Sequence, residues 1–420
     1  MDINSLLKGV DCACGKKHNC DIKFVYIENN ATQKLKEILA PFNKIHLVAD
    51  QNTFKAAGER VERVLGDKIV FKTIFDGDKI LIPDEKAIER VESALSDADF
   101  ILGIGSGVIQ DLCKYVAFDK KLNYAIVATA PSMDGYASSG AAMITDGMKV
   151  TYSAGMPYAI VADVDVLVNA PMDMIKSGYG DVIGKYSSLN DWKLASAVNG
   201  EYFCDYIYGV TFDMVLKTQS LANGLINRDE QSVKVLMEAL VIVGIMMSFA
   251  GSSRPASGSE HHLSHFFEIT GIVSGEDYLP HGTDVAYSTI ITAMVRENLL
   301  KMQLPCEQYK ENQNEKDQNL DRLYRSVAGG CKALQEKLCT YNRDRLSVYR
   351  QKENEIRAIL KEMPSASEIE SILAKVGFDK NEFYAFYGKQ KILDAVKYAK
   401  DLKDRYTVLW YNYDVNEGKL

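Results

Sequence analysis

The histidines of this chain are concentrated in one short stretch. Four of the six lie between residues 261 and 281, three of them within residues 258–265 (GSEHHLSH) and the fourth at His281. His261 and His265 are four residues apart, so on a helix they share one face, and a loop can bring His281 back as a further donor. A single histidine is better explained as a core or surface residue. The group, however, indicates a metal centre.

A carboxylate that fits the same chemistry lies upstream, in residues 178–186 (GYGDVIGKY). Asp181 precedes an apolar helical pattern, so it is either the N-cap of that helix or a third metal ligand. Three protein ligands leave a divalent cation one open position for a substrate oxygen. The sequence therefore predicts an Asp-His-His site, with the cap as the alternative for Asp181.

A glycine-rich segment indicates a phosphate-binding loop. The segment follows an apolar strand pattern, precedes a helical pattern, and consists of Gly103, Ile104, Gly105, Ser106 and Gly107. Exposed backbone N–H groups before a helix N-terminus suit a pyrophosphate, although a plain tight turn explains the same residues.

An acidic residue that could bind a ribose precedes these glycines, whereas in the common dinucleotide fold it follows them. Asp50 ends an early strand pattern. Its carboxylate is either a ribose contact, which would favour NAD over NADP, or a helix or turn cap.

A polar loop of small residues follows the next buried strand. Its chemistry-bearing side chains are Thr129, Ser132, Asp134 and Ser138. Loops at the carboxyl ends of parallel strands are where α/β enzymes bind ligands. We expect the hydroxyls to contact a cofactor and Asp134 to accept a substrate hydroxyl. The alternative is that these side chains cap turns.

The flanking patterns predict an α/β N-terminal domain with a mostly parallel sheet, residues 1–168, and an all-α C-terminal domain, residues 169–420. Predicted strands are 23–27, 44–48, 68–71, 100–103 and 124–128. Predicted helices between them are 33–39, 53–65 and 85–96. Beyond residue 169 only helical patterns remain, and the last ~100 residues carry no readable motif.

Composition limits the functional class. The chain has 420 residues, 47% of them hydrophobic, which is enough for a large enzyme core. A formal charge of -8 argues against nucleic acid as a partner. The most apolar segment, residues 235–249, is shorter than the roughly 20 residues that span a bilayer, so we expect a buried helix and no membrane insertion. Eight dispersed cysteines and no recognisable signal peptide predict a cytoplasmic protein.

A group of soft donors precedes the first predicted strand of the sheet. It consists of Cys12, Cys14, His18 and Cys20. The group could bind a structural zinc ion, but its spacing is tighter than that of common zinc modules, so free thiols are the favoured interpretation.

Taken in order, these motifs resemble the dehydroquinate synthase and iron-type alcohol dehydrogenase superfamily, and within it the sn-glycerol-1-phosphate dehydrogenases. The resemblance covers roughly residues 20 to 300 and is most specific in 131–140, 178–192 and 251–265. It implies a dehydroquinate synthase-like fold and a homodimer. It also implies one divalent metal ion, zinc or nickel, bound by Asp181, His261 and His281.

The resemblance also implies the cofactor and substrate contacts. NAD(H) or NADP(H) would contact residues 103–107, Thr129, Ser132 and Ser138, while Asp134, Asp181 and His265 would contact substrate. His262 matches no ligand position. For the substrate phosphate, loop 251–258 offers Arg254 as anchor, with Lys185 as second choice and an ordinary solvated arginine as the alternative.

The predicted activity is a metal-dependent, NAD(P)-linked interconversion of dihydroxyacetone phosphate and sn-glycerol 1-phosphate, in which the cation stabilises the developing alkoxide and His265 relays a proton. Within the superfamily the alternatives are a glycerol dehydrogenase and a 3-dehydroquinate synthase-like lyase. Asp rather than Glu at position 181 and the stretch SMDGY favour the phosphoglycerol enzyme. A catalytically silent metal- or nucleotide-binding regulator is the alternative from another class.

Overall fold

The computed structural model describes residues 2–78, 81–145 and 148–420. Its strands are β1 (Val10–Asp11), β2 (Lys17–His18), β3 (Phe24–Glu28), β4 (Ile45–Asp50), β5 (Ile69–Phe75), β6 (Phe100–Gly105), β7 (Asn123–Ala128), β8 (Gly140–Thr145), β9 (Met148–Ser153) and β10 (Ala159–Asp163).

The α-helices are α1 (Ile3–Leu7), α2 (Leu35–Ile38), α3 (Gln51–Thr53), α4 (Glu59–Leu65), α5 (Glu85–Ser93), α6 (Gly107–Lys120), α7 (Val164–Leu167), α8 (Met172–Ile183), α9 (Lys185–Asn199), α10 (Asp205–Gln219), α11 (Ala222–Ile226), α12 (Glu230–Ala250), α13 (Ser259–Ser274), α14 (His281–Lys301), α15 (Gln313–Tyr324), α16 (Ala328–Leu338), α17 (Leu346–Gln351), α18 (Glu353–Lys361), α19 (Ala366–Ala374), α20 (Lys380–Tyr398) and α21 (Val408–Asn416). A π-helical turn, Phe54–Gly58, joins α3 to α4. Short 3-10 turns are Ala31–Lys34, Gly66–Lys68, Gly135–Ala137, Arg325–Val327, Thr340–Asn342 and Ala399–Leu402.

The chain forms two compact units that interleave in sequence. Unit 1 comprises residues 1–182 and 216–252, and unit 2 comprises residues 183–215 and 253–420. This division differs from the predicted consecutive domains, 1–168 and 169–420. The reason is that the apolar helix α12 packs against β3 and α7 of the first unit.

Unit 1 is built on a parallel sheet with strand order β3-β10-β7-β6-β4-β5. Each neighbouring pair in it is parallel, as predicted. Strands β6 and β10 are buried at every position, which explains their continuous apolar sequences. The five predicted strands of this sheet are confirmed. The sequence analysis did not separate β10 or the antiparallel pair β8–β9 from their surroundings.

Helix α12 is the most apolar element of unit 1. It runs over 21 residues, and its most apolar 18-residue window has a mean hydropathy of 2.0 and is 78% buried. The predicted segment, 235–249, was therefore too short, and length alone does not exclude a membrane span. The burial nevertheless confirms the predicted core helix.

The described residues of unit 2 form helices joined by loops and contain no strand, which confirms the predicted all-α region. Its centre is the pair α13 and α14, with α19 packed on α14 and α18 packed on α9. Helix α20 consists of two helical stretches joined at Gly388, where φ is 75 and ψ is 152. Only glycine adopts this backbone conformation without strain.

Candidate metal and cofactor site

In unit 1 the candidate cofactor residues follow adjacent strands. Strand β6 pairs with β4 on one side and with β7 on the other, all parallel. The carboxyl ends of these strands, at Asp50, Gly105 and Ala128, therefore lie along one edge of the sheet. This edge is where the fold places ligand-binding loops.

The glycine segment is more strand than loop, which corrects the prediction. Gly103, Ile104 and Gly105 belong to β6 and pair with β7, so only Ser106 separates the strand from α6. A Cβ on Gly105 would lie 2.7 Å from Ile109 Cβ. The missing side chain thus lets α6 pack tightly against the end of β6. Its 14 residues begin at Gly107, so unpaired N–H groups face outward there.

Asp50 caps a helix in this structure. Its Oδ1 accepts a hydrogen bond from Thr53 N at 2.8 Å, and Thr53 Oγ1 accepts one from Asp50 N. The two bonds form a capping box at the start of α3. Asp50 therefore has the capping role that the sequence offered as the alternative to a ribose contact. A ribose contact through the second carboxylate oxygen is compatible with it.

The loop after β7 is tied to its neighbours within unit 1. Thr129 N–H donates to Gly105 O at 3.1 Å, and the Tyr136 hydroxyl donates to Ala130 O at 2.7 Å. Lys114 is fully buried, and its Nζ donates to Gly140 O at 2.7 Å and to Ser138 Oγ at 3.3 Å. Lys114 thus fixes the shape of this loop from inside.

Two helices of unit 1 pack against the same loop through glycines. A Cβ on Gly178 of α8 would lie 1.8 Å from Pro131 O, and a Cβ on Gly244 of α12 would lie 2.8 Å from Asp134 O. The close approach of α8 lets Asp181, fully buried, accept a hydrogen bond from Asp134 N at 2.9 Å. Asp181 lies inside α8, and the N-cap of the helix that follows, α9, is Gly184, so Asp181 is not the cap that the sequence offered as its alternative role.

In unit 2 three histidines converge. His261 and His265 lie on α13, as the four-residue spacing predicts, and His281 is the first residue of α14. The ring of His281 lies 5.0 Å from that of His261 and 5.6 Å from that of His265, measured between centroids. Ligand atoms of His261 and His281 lie within 4.8 Å of each other. One divalent cation can be held at such a separation.

The fourth histidine of the stretch has a separate environment. His262 is fully buried, and its Nδ1 lies 2.9 Å from Gly258 O. Burial, followed by the nearby charges of Lys403, Arg405 and Arg254, holds the pKa of His262 well below its usual value. This agrees with its assignment as structural.

Arg254 is not a solvated arginine. Its Nη1 donates to Tyr406 O at 2.8 Å, and its Nη2 forms an ion pair with the Glu201 carboxylate. Lys185, the second candidate for the phosphate, is fully buried, and its charge lowers the pKa of Glu260. Glu260 contacts His261, so the charge of Lys185 acts on a carboxylate that belongs to the histidine group.

Comparison with known proteins decides the family. A family model described as iron-containing alcohol dehydrogenase matches residues 26–171. The glycerol-1-phosphate dehydrogenase [NAD(P)+] of Halalkalibacterium halodurans is 33% identical over 311 residues, which cover 70% of this chain and 77% of the relative. That of Metallosphaera sedula is 37% identical over 281 residues, covering 65% of this chain and 77% of the relative. The chain belongs to the glycerol-1-phosphate dehydrogenase family.

Solved structures agree with the fold. The sulfoacetaldehyde reductase of Bifidobacterium kashiwanohense, in complex with NAD+, is 12% identical and superposes with a TM-score of 0.60, covering 93% of each chain. At this identity the likeness supports the architecture alone. It confirms the predicted dehydroquinate synthase-like and iron-type alcohol dehydrogenase-like fold for this member of the glycerol-1-phosphate dehydrogenase family.

The residues that orient the histidine helices of this family member were not predicted from the sequence. Asp191 Oδ2 accepts a hydrogen bond from Ser259 N, the first residue of α13, at 2.6 Å. Its Oδ1 binds Arg296 Nη2 of α14 at 2.7 Å. This buried ion pair links three helices. Its only sequence signal was an arginine within an apolar helical pattern.

The C-terminal region also contributes to the histidine group. The Tyr387 hydroxyl donates to the Asp284 carboxylate at 3.0 Å and accepts a hydrogen bond from Leu279 N at 3.0 Å. Its ring stacks on Phe267 with centroids 4.2 Å apart. Tyr387 therefore holds the turn that positions His281, and no motif in the sequence marked it.

Proposed function

We propose that this protein catalyses the NAD(P)-linked interconversion of dihydroxyacetone phosphate and sn-glycerol 1-phosphate. The observation that carries the proposal is the convergence of three buried or half-buried imidazoles in a member of the glycerol-1-phosphate dehydrogenase family. Composition supports a small-molecule substrate, because the formal charge of -8 does not suit nucleic acid.

For the metal, we propose Asp181, His261 and His281 as the three protein ligands of one zinc or nickel ion. The donors fit such an ion, since imidazole and carboxylate suit both metals. Glu260 Oε1 lies 2.7 Å from His261 Nδ1, which leaves Nε2 of that ring as the ligand atom. Asp181 belongs to unit 1, whose first chain segment ends at Val182, whereas the two histidines belong to unit 2. A bound cation would supply Lewis-acid polarisation of the substrate oxygen.

For the dinucleotide, we propose contacts at the sheet edge of unit 1, with Asp50 at the ribose. The pyrophosphate would lie at the N-terminus of α6, at Ser106 and Gly107, while Gly103, Ile104 and Gly105 position that helix. Thr129, Ser132 and Ser138, all buried at the end of β7, would contact the nicotinamide half. Both NAD(H) and NADP(H) are compatible with these residues.

For the substrate, we propose that Asp134 and Asp181 orient the glycerol carbons and that His265 moves the proton. The backbone N–H of Asp134 donates to the Asp181 carboxylate, which holds that carboxylate beside the loop that carries Asp134. His265 lies one helical turn from His261 and is 9% exposed, which suits a relay between the site and solvent. Arg254 or Lys185 would bind the phosphate.

Two further assignments belong to this proposal. We propose a cytoplasmic homodimer, which reduced cysteines and the frequency of symmetric dimers favour. We also propose that the sheet of unit 1 binds the dinucleotide, that the helical unit supplies two metal ligands, and that the protein does not insert into membranes.

The decisive experiment measures oxidation of NADH or NADPH with dihydroxyacetone phosphate, before and after chelation and after return of zinc or nickel. Turnover that disappears with the metal and returns with it is expected. Release of inorganic phosphate without net cofactor oxidation would identify a lyase. Equal turnover of unphosphorylated dihydroxyacetone would identify a glycerol dehydrogenase, and no turnover in any assay would point to a silent regulator.

A further inference from the structure

The N-terminal hairpin brings together three soft donors that the proposed reaction does not use. Between β1 and β2 the chain makes a tight turn, in which Gly15 N–H donates to Cys12 O at 3.0 Å. Gly15 adopts φ 83, which glycine tolerates best, so the turn can be this short. The ligand atoms of Cys12, Cys14 and His18 then lie within 4.8 Å of one another.

His18 is held in one tautomer. Its side chain is 1% exposed, and its ring stacks on Phe249 of α12 with centroids 5.3 Å apart. His18 Nδ1 lies 3.0 Å from Phe249 O, and because a carbonyl oxygen only accepts, Nδ1 carries the proton. Nε2 therefore has a lone pair. Metal-binding histidines have this arrangement, with the second ring nitrogen donating to a carbonyl or carboxylate.

The spacing of the donors fits a tetrahedral ion. His18 Nε2 lies 3.5 Å from Cys14 Sγ. With bonds of about 2.3 Å to sulfur and about 2.0 Å to nitrogen, two ligands of one tetrahedral zinc ion lie about 3.5 Å apart. An S–H to nitrogen hydrogen bond would give a similar separation. The zinc site and the hydrogen bond differ in the protonation of the cysteines, since a metal site requires thiolates whereas the hydrogen bond requires a thiol.

We propose that Cys12, Cys14 and His18 bind a structural zinc ion, whose fourth ligand is a further thiolate or a water molecule. Two or three thiolates with one imidazole select zinc among the common divalent ions of cells. Cys20, which follows in the same segment, is the candidate thiolate for the fourth position. This site is separate from the proposed catalytic one and does not depend on the proposed function.

The ion would stabilise a segment that has little other support. Strands β1 and β2 have two residues each, and an isolated hairpin is marginal even when longer. The hairpin contacts the core helix α12 through His18 and Phe249. Zinc would therefore fix the N-terminal segment on that helix. Its role would be structural, without part in the reaction.

Cobalt substitution of the full-length protein tests this site selectively. Thiolate ligation of Co²⁺ gives a sulfur-to-metal charge-transfer band in the near ultraviolet, and the proposed catalytic ligands contain no sulfur. The band is expected in the wild type, strongly weakened or lost in Cys14→Ser, and retained in Cys339→Ser, which changes an exposed cysteine outside the group. It is also expected in His261→Ala, so failure of the catalytic proposal would leave it unchanged.

A wild type without this band would overturn the proposal, as would a band of unchanged intensity in both Cys12→Ser and Cys14→Ser. If those variants do not fold, X-ray absorption at the zinc edge of the wild type decides. Sulfur among the zinc ligands supports the site, and purely nitrogen and oxygen ligation refutes it. A weakened band in Cys20→Ser identifies Cys20 as the fourth ligand, and an unchanged band excludes it.

Discussion

Glu260 Oε1 lies 2.7 Å from Nδ1 of His261, its neighbour in the chain. The same oxygen accepts a hydrogen bond from Gly258 N at 2.8 Å. Burial raises the pKa of Glu260, whereas the Gly258 N–H and the charge of Lys185 lower it. The carboxylate thus fixes the orientation of the imidazole that we propose as a metal ligand.

Replacing this carboxylate should weaken metal binding without removing a ligand. Glu260→Gln keeps the shape of the side chain but loses its charge, so we expect metal affinity to fall about 10- to 100-fold. Competition with a chelator measures the affinity, and the KM for NADH should not change. Glu268→Gln, on the same helix, serves as the control. Unchanged affinity in Glu260→Gln would show that the hydrogen bond has no role in metal binding.

The approach of α8 to the loop after β7 leaves no space for a methyl group at residue 178. Gly178→Ala would place Cβ 1.8 Å from Pro131 O, so helix or loop must move. We expect destabilisation of about 1–3 kcal/mol or more in urea unfolding, together with weaker metal binding. Gly209→Ala, in α10 with open space around it, should be neutral or stabilising by up to about 1 kcal/mol. Equal effects of the two variants would contradict the packing argument.

Two substitutions at Asp50 separate its cap from a role in cofactor binding. Asp50→Ala should cost about 1 kcal/mol of stability because the capping bond to Thr53 N is lost. Asn caps helices as well as Asp does, so Asp50→Asn should keep stability. If the charge repels a 2′-phosphate, Asp50→Asn lowers the KM for NADPH relative to NADH several-fold. A constant ratio would leave Asp50 as a cap alone.

Substrate kinetics identify the phosphate anchor. Loss of a charge-assisted hydrogen bond of about 1.5–3 kcal/mol raises the KM for dihydroxyacetone phosphate about 10- to 100-fold, without effect on unphosphorylated dihydroxyacetone. We compare Arg254→Met with Lys185→Met, and use Glu201→Gln to break only the ion pair of Arg254. The burial of Lys185 and its influence on Glu260 favour Lys185. If Arg254→Met leaves KM unchanged, the Arg254 assignment fails.

A buried histidine of the sheet should make stability depend on pH. His46 is fully buried on β4 with Nε2 2.8 Å from Thr73 Oγ1, and burial lowers its pKa to about 4. The unfolded chain has a histidine pKa of about 6.5, so it takes up the proton first as pH falls. The contribution of neutral His46 to the free energy of unfolding is complete above about pH 6.5. It is lost progressively as the pH falls to about 4, by up to about 3 kcal/mol.

Urea unfolding of metal-free protein tests this dependence. Between about pH 7.5 and about pH 5 the wild type should lose about 2 kcal/mol through His46. His46→Leu removes the titrating group and should show a correspondingly smaller loss. The same pH dependence in both proteins would exclude His46 as its source.

The elements of unit 1 were predictable because each has a strong local pattern. Strands such as β4 and β7 are mostly apolar. Helix α5 follows Asp84, a standard N-cap residue, and has apolar residues at helical spacing. The end of β6 was not predictable in the same way. Several glycines in a row predict a loop, yet Gly103 and Gly105 pair within the sheet. Small residues are required there because α6 packs tightly against the end of β6.

The histidine group was predictable from spacing, but its supports were not. His261 and His265 lie one helical turn apart, which is a local property. Asp191, Arg296 and Tyr387 act from helices distant in sequence. Such contacts depend on how helices pack, and one sequence contains no periodic signal for them.

The return of the chain to unit 1 at residues 216–252 has a consequence for synthesis on the ribosome. The N-terminal sheet cannot bury its apolar surface against α12 until that helix has emerged, when part of the helical unit has already been made. Truncation near residue 182 would leave the sheet without this helix and expose a surface prone to aggregation. A single cut between residues 182 and 216 would likewise not release a complete sheet unit.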